Sequence, residues 1–420
     1  MQFLQTRISP ALQRANSSTF AAARSGKKRF LLFPDTSNNH HAHGLIVRRT
    51  GPAESALPSA LCSDRVRMPP WSPIIQSELS DIVNQLGPLS AGQLRDSIRR
   101  SLDKRQKRFI MMKAARSKRQ VRARGEGHKT MKRVEITVLV EDTVHQARMR
   151  AEHGLSLHIN AGGYRMLFDT GASALFLGNA KNLGLHLNEL DTLVLSHNHY
   201  DHTGGVEFLI DLYGSVPSIF AHPKTFSQSY ARAKAGGKDR SGAAAARTIG
   251  FPYPLGLAGL QKRGIELTTK REPLEIHKNI WLSGEVPRNC PHEDVGKKFF
   301  LDPQLTQVDD LIDDQALIIK ADRGLIVISG CCHSGLVNTL EAAASLFPGT
   351  PVWAVVGGFH LLEADAKRIK RSVEYLKSLN PQEVIAGHCT GFDALCSLRR
   401  AFGERFRRLS VGTRFSLPGR

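Results

Sequence analysis

Long apolar runs are missing from this 420-residue chain. None approaches the roughly 18 residues that a membrane-crossing helix needs, so no membrane span is expected. CxxC pairs are missing too. The six cysteines, Cys62, Cys290, Cys331, Cys332, Cys389 and Cys396, offer neither a zinc-ribbon spacing nor a disulfide framework, and a reducing compartment suits them better. Aromatic residues are sparse at 7%. Phe109 is the sole aromatic between residues 88 and 124, which leaves that basic stretch without a base-stacking stripe. Acidic residues are absent from the first 34 positions. What is present includes a hydrophobic content of 41%, enough to bury a sizeable core.

The net charge of +20 is unevenly placed. Residues 1–34 carry +6, residues 35–94 carry −1, residues 95–133 carry +13, and residues 134–420 carry only +2. An electrostatic case for nucleic-acid binding therefore applies to the N-terminal third alone. The opening, "MQFLQTRISPALQRANSSTFAAARSGKKRFLLF", is rich in Arg, Ser and Ala, with Leu4, Ile8 and Leu12 at helical spacing. It resembles an organellar transit peptide over residues 1–34 and implies a mitochondrial location, the alternative being cytoplasmic. Residues 35–94 read as largely irregular, and "HHAH" (His40, His41, His43) as part of a solvated tail. Residues 88–124 read as a charged helix with Leu94, Ile98 and Leu102 four apart. Its alternatives are a solvated linker or a contact with RNA, phosphate or an anionic surface. Two glycines in "RARGEGHKTMKR" place a domain boundary near residue 130. Residues 35–133 are thus expected to form a basic, low-order extension, partly helical or disordered.

From residue 134 the texture changes. "VEITVLV" alternates as a strand does, and "LSLHI" and "YRMLF" follow as strands joined by a turn at "NAGG". Helices are expected at 174–184 and 204–213, and strands at 192–195 and 218–221. Residues 228–247 look like a low-complexity surface insertion. "QALIIK" and "GLIVIS" make a hairpin across "ADRG", after which helices (335–346, 364–379, 392–402) alternate with strands (352–356, 383–386). Strands that first pair locally and then alternate with helices suggest two sheets with helices outside.

The chemistry concentrates in "VLSHNHYDHTGG", residues 194–205, which places His197, His199, Asp201 and His202 within six positions just after a short apolar strand. His197 and His199 can aim at one metal ion, and Asp201 and His202, a turn later, at a second. Imidazole with carboxylate suits zinc, with iron and manganese as alternatives. One or two divalent ions are expected, able to orient a hydroxide and polarise a phosphoryl or carbonyl group.

HxHxDH after a strand, with "FDTG" (168–171) upstream, resembles the metallo-β-lactamase superfamily. The resemblance covers about 134–420 and implies an αββα sandwich with the metals at one edge of two sheets. "AEHGLSLHI", "LVLSHNHYDHTGG", "SGEVPR", "DDQALII", "GCCHSGLVNTLEAA", "VVGGFHL" and "AGHCTG" resemble more narrowly the branch that includes the archaeal dihydropterin-methyl-ribofuranosylaminobenzene-phosphate synthases of methanopterin biosynthesis and related predicted hydrolases. Further ligands are expected from histidines just past apolar strands: His333, His360 and His388, the last matching the superfamily's final histidine. Asp169 is expected to support the ligand loop and orient an imidazole, with Asp201 and His202 as the groups closest to catalysis. The chain departs from much of the superfamily in lacking a "GHTxGS"-like stretch and a strand-end "GD". Asp314 in "DDQALII" is therefore a further ligand candidate, and the metal count stays open. Cys331, Cys332 and Cys389 flank the expected ligands, as buried filler or as thiolates able to hold zinc.

Substrate contacts are sought at Glu152, His153 and Arg288, a guanidinium being suited to phosphate, with His222 and Lys224 as further candidates. The expectation is a metal-dependent hydrolase or transferase acting on a phosphorylated or pyrophosphorylated small molecule, a pterin-like one among the candidates. The alternatives are a nucleic-acid-processing metallohydrolase using the basic N-terminal region, and a non-catalytic binding protein on the same fold.

Overall fold

The computed structural model describes residues 133–418, apart from 214–217, 234–245, 253–255, 263–264 and 294–297, together with four strands nearer the N-terminus. The chain divides into two units, Met1–Arg108 and Phe109–Arg420. In the first, β1 (Ala21–Ser25), β2 (Lys28–Asp35), β3 (Gly44–Thr50) and β4 (Val66–Arg67) pair antiparallel in that order. β3 and β4 lie in the stretch read as irregular. "GLIVRRT" carries the β-branched residues that favour extended backbone. Leu4, Ile8 and Leu12, the "HHAH" run and the helix expected at 88–124 lie outside the described residues.

The second unit contains two seven-stranded sheets. One has the order β12 (Leu267–Thr269), β9 (Ser218–Ala221), β8 (Thr192–Val194), β7 (Tyr164–Phe168), β6 (Ser156–Ala161), β5 (Arg133–Val140), β21 (Arg414–Pro418). The other has the order β13 (Leu274–His277), β14 (Ile280–Leu282), β16 (Ala316–Ala321), β17 (Gly324–Ser329), β18 (Val352–Gly358), β19 (Glu383–Gly387), β20 (Phe406–Arg408). In each sheet a locally paired meander gives way to parallel strands. β7, β8, β9 and β12 run parallel, as do β17, β18, β19 and β20.

Alternation along the strands builds the layers, because successive side chains point to opposite faces. Leu317, Ile319, Ile326 and Ile328 meet Ile136, Leu157, Ile159 and Phe168 in a core between the sheets. Their neighbours Ala316, Ile318, Leu325 and Val327 face outward. There they meet Leu340 of α5 (Leu336–Leu346), Leu376 of α6 (Ala366–Leu379) and Leu398 of α7 (Phe392–Phe402). On the opposite face Leu167, Leu193 and Ile219 pack against Phe176 of α1 (Leu175–Asn182), Leu209 of α3 (Val206–Tyr213) and Leu260 of α4 (Gly256–Lys262). A one-turn helix, α2 (Tyr200–Thr203), precedes α3. The result is an αββα sandwich.

The segment 228–247 is not purely an insertion. Its ends form β10 (Tyr230–Arg232) and β11 (Ala246–Thr248), which pair antiparallel, and β10 also pairs with β15 (Phe299–Phe300). The alanine-rich interior hid these three- and two-residue strands from a pattern reading. The parallel strands β7, β8, β17, β18 and β19 all end on the same chemistry: Asp169, His197, Cys331, His360 and His388 each follow one of them within three residues. Ligands of open parallel sheets gather at such carboxyl ends.

Candidate metal centre

β8 is buried throughout, and the chain leaves it through Leu195 and Ser196 into the histidine loop. Gln315 pins that loop from the other sheet, its N–H donating to the Ser196 carbonyl at 3.1 Å and its side-chain amide to the Leu195 carbonyl at 3.1 Å. Gly330 lets the two sheets close here, since a Cβ at that position would lie 2.1 Å from Ser196 Oγ.

His197, His199 and His333 form a near-equilateral triangle, each pair of ring centroids 4.7 Å apart. Nε2 of His197, Nε2 of His199 and both ring nitrogens of His333 are buried without a hydrogen-bond partner in the protein. An orphaned buried polar atom costs about 1–3 kcal/mol, and the cost recurs here around one point. A cation on those nitrogens removes it. Burial holds all three imidazoles below their ordinary pKa, His199 at about 4, so they stand neutral with lone pairs available at physiological pH.

Asp201, His202 and His388 form a second trio. His202 Nε2 lies 3.3 Å from His388 Nε2 and 3.6 Å from Asp201 Oδ2, and His388 Nε2 lies 3.5 Å from Asp201 Oδ2. Metal–ligand bonds of about 2.0–2.2 Å place tetrahedral ligand atoms about 3.3–3.6 Å apart. The donor set therefore fits a small divalent ion without rearrangement.

Three of these imidazoles are oriented through Nδ1. Asp169 Oδ2 faces His202 Nδ1 at 2.7 Å and accepts from Ser196 Oγ at 2.7 Å, while Oδ1 accepts the Ser196 N–H at 2.7 Å. Ser196 Oγ, its own hydrogen given to Asp169, accepts from His197 Nδ1 at 2.9 Å. His388 Nδ1 meets Asp142 Oδ1 at 2.8 Å. Each of these contacts leaves Nε2 turned to the centre. Burial pushes Asp169 up and His202 down. Burial opposes charge on His388, but Cys389, Asp142 and Asp201 outweigh it and hold its pKa up, at about 10. A proton there stands in for the positive charge that the surrounding carboxylates demand.

Strain gathers at the same place. Asp169, Cys332, His360 and His388 all have left-handed φ, between 46° and 60°. Such conformations cost of order 1–3 kcal/mol each in non-glycine residues and cluster at functional sites.

The other residues expected at the site divide. His153 lies at its mouth with its side chain 55% exposed, Nδ1 2.9 Å from Asp142 Oδ2 and Nε2 3.3 Å from Asp201 Oδ2. His360 touches the His333 ring at 4.3 Å between centroids, but its ligand atom groups with Cys331 and Cys389 instead of with either trio. Asp314 accepts the Ser334 N–H at 2.7 Å and anchors the turn carrying His333. Glu152 clasps the loop after Asp169, accepting from the N–H groups of Ala172 and Ser173 at 3.1 Å and from Ser173 Oγ at 2.6 Å. Arg288 donates to the carbonyls of His333 (3.4 Å), Leu311 (3.3 Å) and Asp310. Glu152 and Arg288 thus each brace a loop of the site in this arrangement. His222 pairs with Glu285 at 3.0 Å, and Lys224 with Asp309.

Sequence reasoning missed Ser196, Gln315, Glu141 and Asp142. Glu141 accepts the His388 N–H at 2.7 Å. The available signal was "VED" at the end of β5, two acids just past a buried strand.

The metallo-beta-lactamase superfamily model matches residues 150–388, and the chain belongs to that superfamily of metal-dependent enzymes. Within it, the chain is 31% identical over 289 residues to the 7,8-dihydropterin-6-methyl-4-(beta-D-ribofuranosyl)-aminobenzene-5'-phosphate synthase of Methanocaldococcus jannaschii, covering 66% of this chain and 95% of that protein. An uncharacterized protein of the same archaeon is 32% identical over 263 residues, 63% of this chain and 93% of the relative. Among solved structures, Tm1679, a metal-dependent hydrolase of the β-lactamase superfamily, superposes with a TM-score of 0.56 at 29% identity, over 68% of this chain and 99% of that one. No helix among the described residues is long and apolar enough to cross a membrane.

Proposed function

We propose that this chain binds two divalent ions, zinc being the best match to its imidazole–carboxylate set, and acts on a diphosphate-bearing small molecule with a flat, pterin-like ring. The preferred acceptor is an arylamine. The observation that carries the metal-dependent reading is the pair of buried trios, His197–His199–His333 and Asp201–His202–His388, whose unpartnered or converging atoms lie at ligand spacing. The substrate class rests on the synthase relative, and on apolar side chains around the centre. Phe299 packs 4.9 Å from His199 between ring centroids, while Leu362 and Phe392, which follow His360 and Thr390 closely in sequence, are 64% and 74% exposed.

The ions, when bound, supply positive charge for the diphosphate oxygens and Lewis acidity at the reacting centre. The amine lone pair forms the new bond to the ring-bearing methylene carbon as the carbon–oxygen bond to diphosphate breaks, and the amine proton leaves to solvent. His153 is the chain's own contribution at the mouth. Its hydrogen bond to Asp142 raises its pKa against the effect of burial, which favours the imidazolium and so a phosphate partner. His153→Ala is expected to weaken diphosphate binding about tenfold or more, as the loss of a charge-assisted hydrogen bond does. In the wild type, affinity is expected to fall as pH rises through the raised His153 pKa, because the cation is present below it. A binding titration across that range checks both statements, and a pH profile unchanged in His153→Ala would remove the assignment.

The deciding experiment is diphosphate release from a dihydropterin-methyl diphosphate by metal-loaded protein, with and without an arylamine. Release that requires the amine supports transfer. Equal release without it makes the enzyme a hydrolase, and no release in either arm rejects the substrate class.

The charge of +13 on residues 95–133 favours a second reading, nucleic-acid processing. Phosphate contacts would show as a steep salt dependence of RNA affinity. Under the small-molecule reading, the full chain is expected to bind RNA no tighter than residues 134–420 in a salt titration. A steeper slope for the full chain would reverse the preference.

A further inference from the structure

Three strand ends deliver a second kind of ligand beside the two trios. Cys331 follows β17, His360 follows β18 and Cys389 follows β19. Their donor atoms, two sulfurs and a ring nitrogen, all lie within 4.8 Å of one another. Both thiols are nearly enclosed, Cys331 at 4% and Cys389 at 7% exposure, and His360 Nδ1 is buried without a hydrogen-bond partner. Cys389 Sγ donates to the Cys331 carbonyl at 3.5 Å.

The backbone is shaped around these groups. Gly358 leaves room for a sulfur, since a Cβ there would lie 2.7 Å from Cys389 Sγ and 2.5 Å from the Gly330 carbonyl oxygen. His360 is held at φ 46°, a conformation that an imidazole adopts at a cost. Its loop is tied down by the N–H groups of Leu361 and Leu362, which donate to the Cys389 carbonyl at 3.1 and 3.0 Å. Small buried cysteines acting as filler need neither the strained histidine nor the missing Cβ. Two thiols and an imidazole are instead the donor set of a thiophilic divalent ion.

We propose that Cys331, Cys389 and His360 form a third, sulfur-rich metal position of the zinc class, contiguous with the two histidine-based positions. Cys331 Sγ lies 3.2 Å from His202 Nε2, so the third position adjoins the second trio directly. Loading displaces whatever thiol proton remains as each sulfur becomes a thiolate ligand. The inference holds whichever acceptor the enzyme uses, because it concerns what the centre binds and not what it converts.

The test is a titration of chelator-stripped, full-length protein with Co²⁺, followed by absorption spectroscopy and elemental analysis. Three equivalents are expected. One of them should bring a near-ultraviolet sulfur-to-cobalt charge-transfer band. Cys389→Ser and Cys389→Ala are each expected to lose that band and one equivalent while retaining two, and His360→Ala to weaken the band-forming equivalent about tenfold or more. Circular dichroism establishes that each variant is folded, and the wild-type spectrum decides the matter if they are not. Two equivalents in the wild type, or three without the band, overturn the proposal. So does a band that survives in Cys389→Ser and Cys389→Ala but vanishes in Cys331→Ser, because one thiol would then serve the histidine trios and no separate position would exist.

Discussion

His333→Ala is expected to bind one metal equivalent fewer than the wild type and to lose about 10³-fold in kcat/KM. The reasoning starts from the triangle of imidazoles at 4.7 Å. Taking away one corner leaves two neutral donors, too few to hold a small divalent ion against water. Bound ions contribute several kcal/mol to transition-state stabilisation, and about 4 kcal/mol corresponds to about 10³-fold. The fold should survive, because His333 makes no side-chain hydrogen bond that its removal would orphan, and both of its ring nitrogens are already unpartnered. Elemental analysis, with exposed His292→Ala as the control, measures the first effect and steady-state turnover the second. Unchanged stoichiometry in His333→Ala would move His333 out of the ligand set.

The histidine loop was legible because four ligand-type residues fall within six positions, and local density of that kind survives without knowledge of the fold. His333, His360 and His388 were legible for a second reason. Each follows an apolar strand, and strand ends are recognisable from period and turn residues. What the sequence concealed is contact across long separations. Asp142 meets His388 across 246 positions and Glu141 meets it across 247. No spacing rule connects such residues, and an acid after a strand is common. The short strands β13, β14 and β20 were hidden as well, since three or four residues do not establish a period. Glu152 and Arg288 show what residue type leaves unsaid. Their residue types suit phosphate, and in the fold they also hydrogen-bond the loops that carry Asp169 and His333. Residue type signalled chemistry, and only the fold shows the second, bracing role.

Asp169→Asn is expected to weaken metal binding at the Asp201–His202–His388 position by about 10–100-fold, the usual cost of losing the partner that orients a ligand imidazole. The carboxylate is fully buried and faces donors on both oxygens: the Ser196 N–H on one, Ser196 Oγ and His202 Nδ1 on the other, all at 2.7 Å. An amide has one acceptor oxygen, so its NH₂ must confront either the Ser196 N–H or the Ser196–His202 pair. In the second case His202 loses the contact that fixes Nδ1 as donor and Nε2 as ligand. In the first, the turn after β8 loses its anchor and His197 shifts with Ser196. Both orientations disturb a ligand, so rotation of the amide offers no escape. Stability should respond less than affinity. Burial raises the pKa of Asp169, which means that ionising it in the metal-free protein costs desolvation that its hydrogen bonds only offset. That cost is absent while the acid is protonated and grows as pH rises above the unfolded-state value. At neutral pH the asparagine removes the cost along with the bonds. The chelated variant is therefore expected to unfold within a few degrees of the chelated wild type, while the metal-loaded variant falls clearly short of its wild-type counterpart, since stabilisation by a ligand scales with its affinity. Competition with a chromophoric chelator gives the affinities, and thermal denaturation with and without chelator gives the midpoints. An affinity equal to wild type would show that Asp169 does not orient the site, and a large loss of stability in both metal states would make it a structural residue alone.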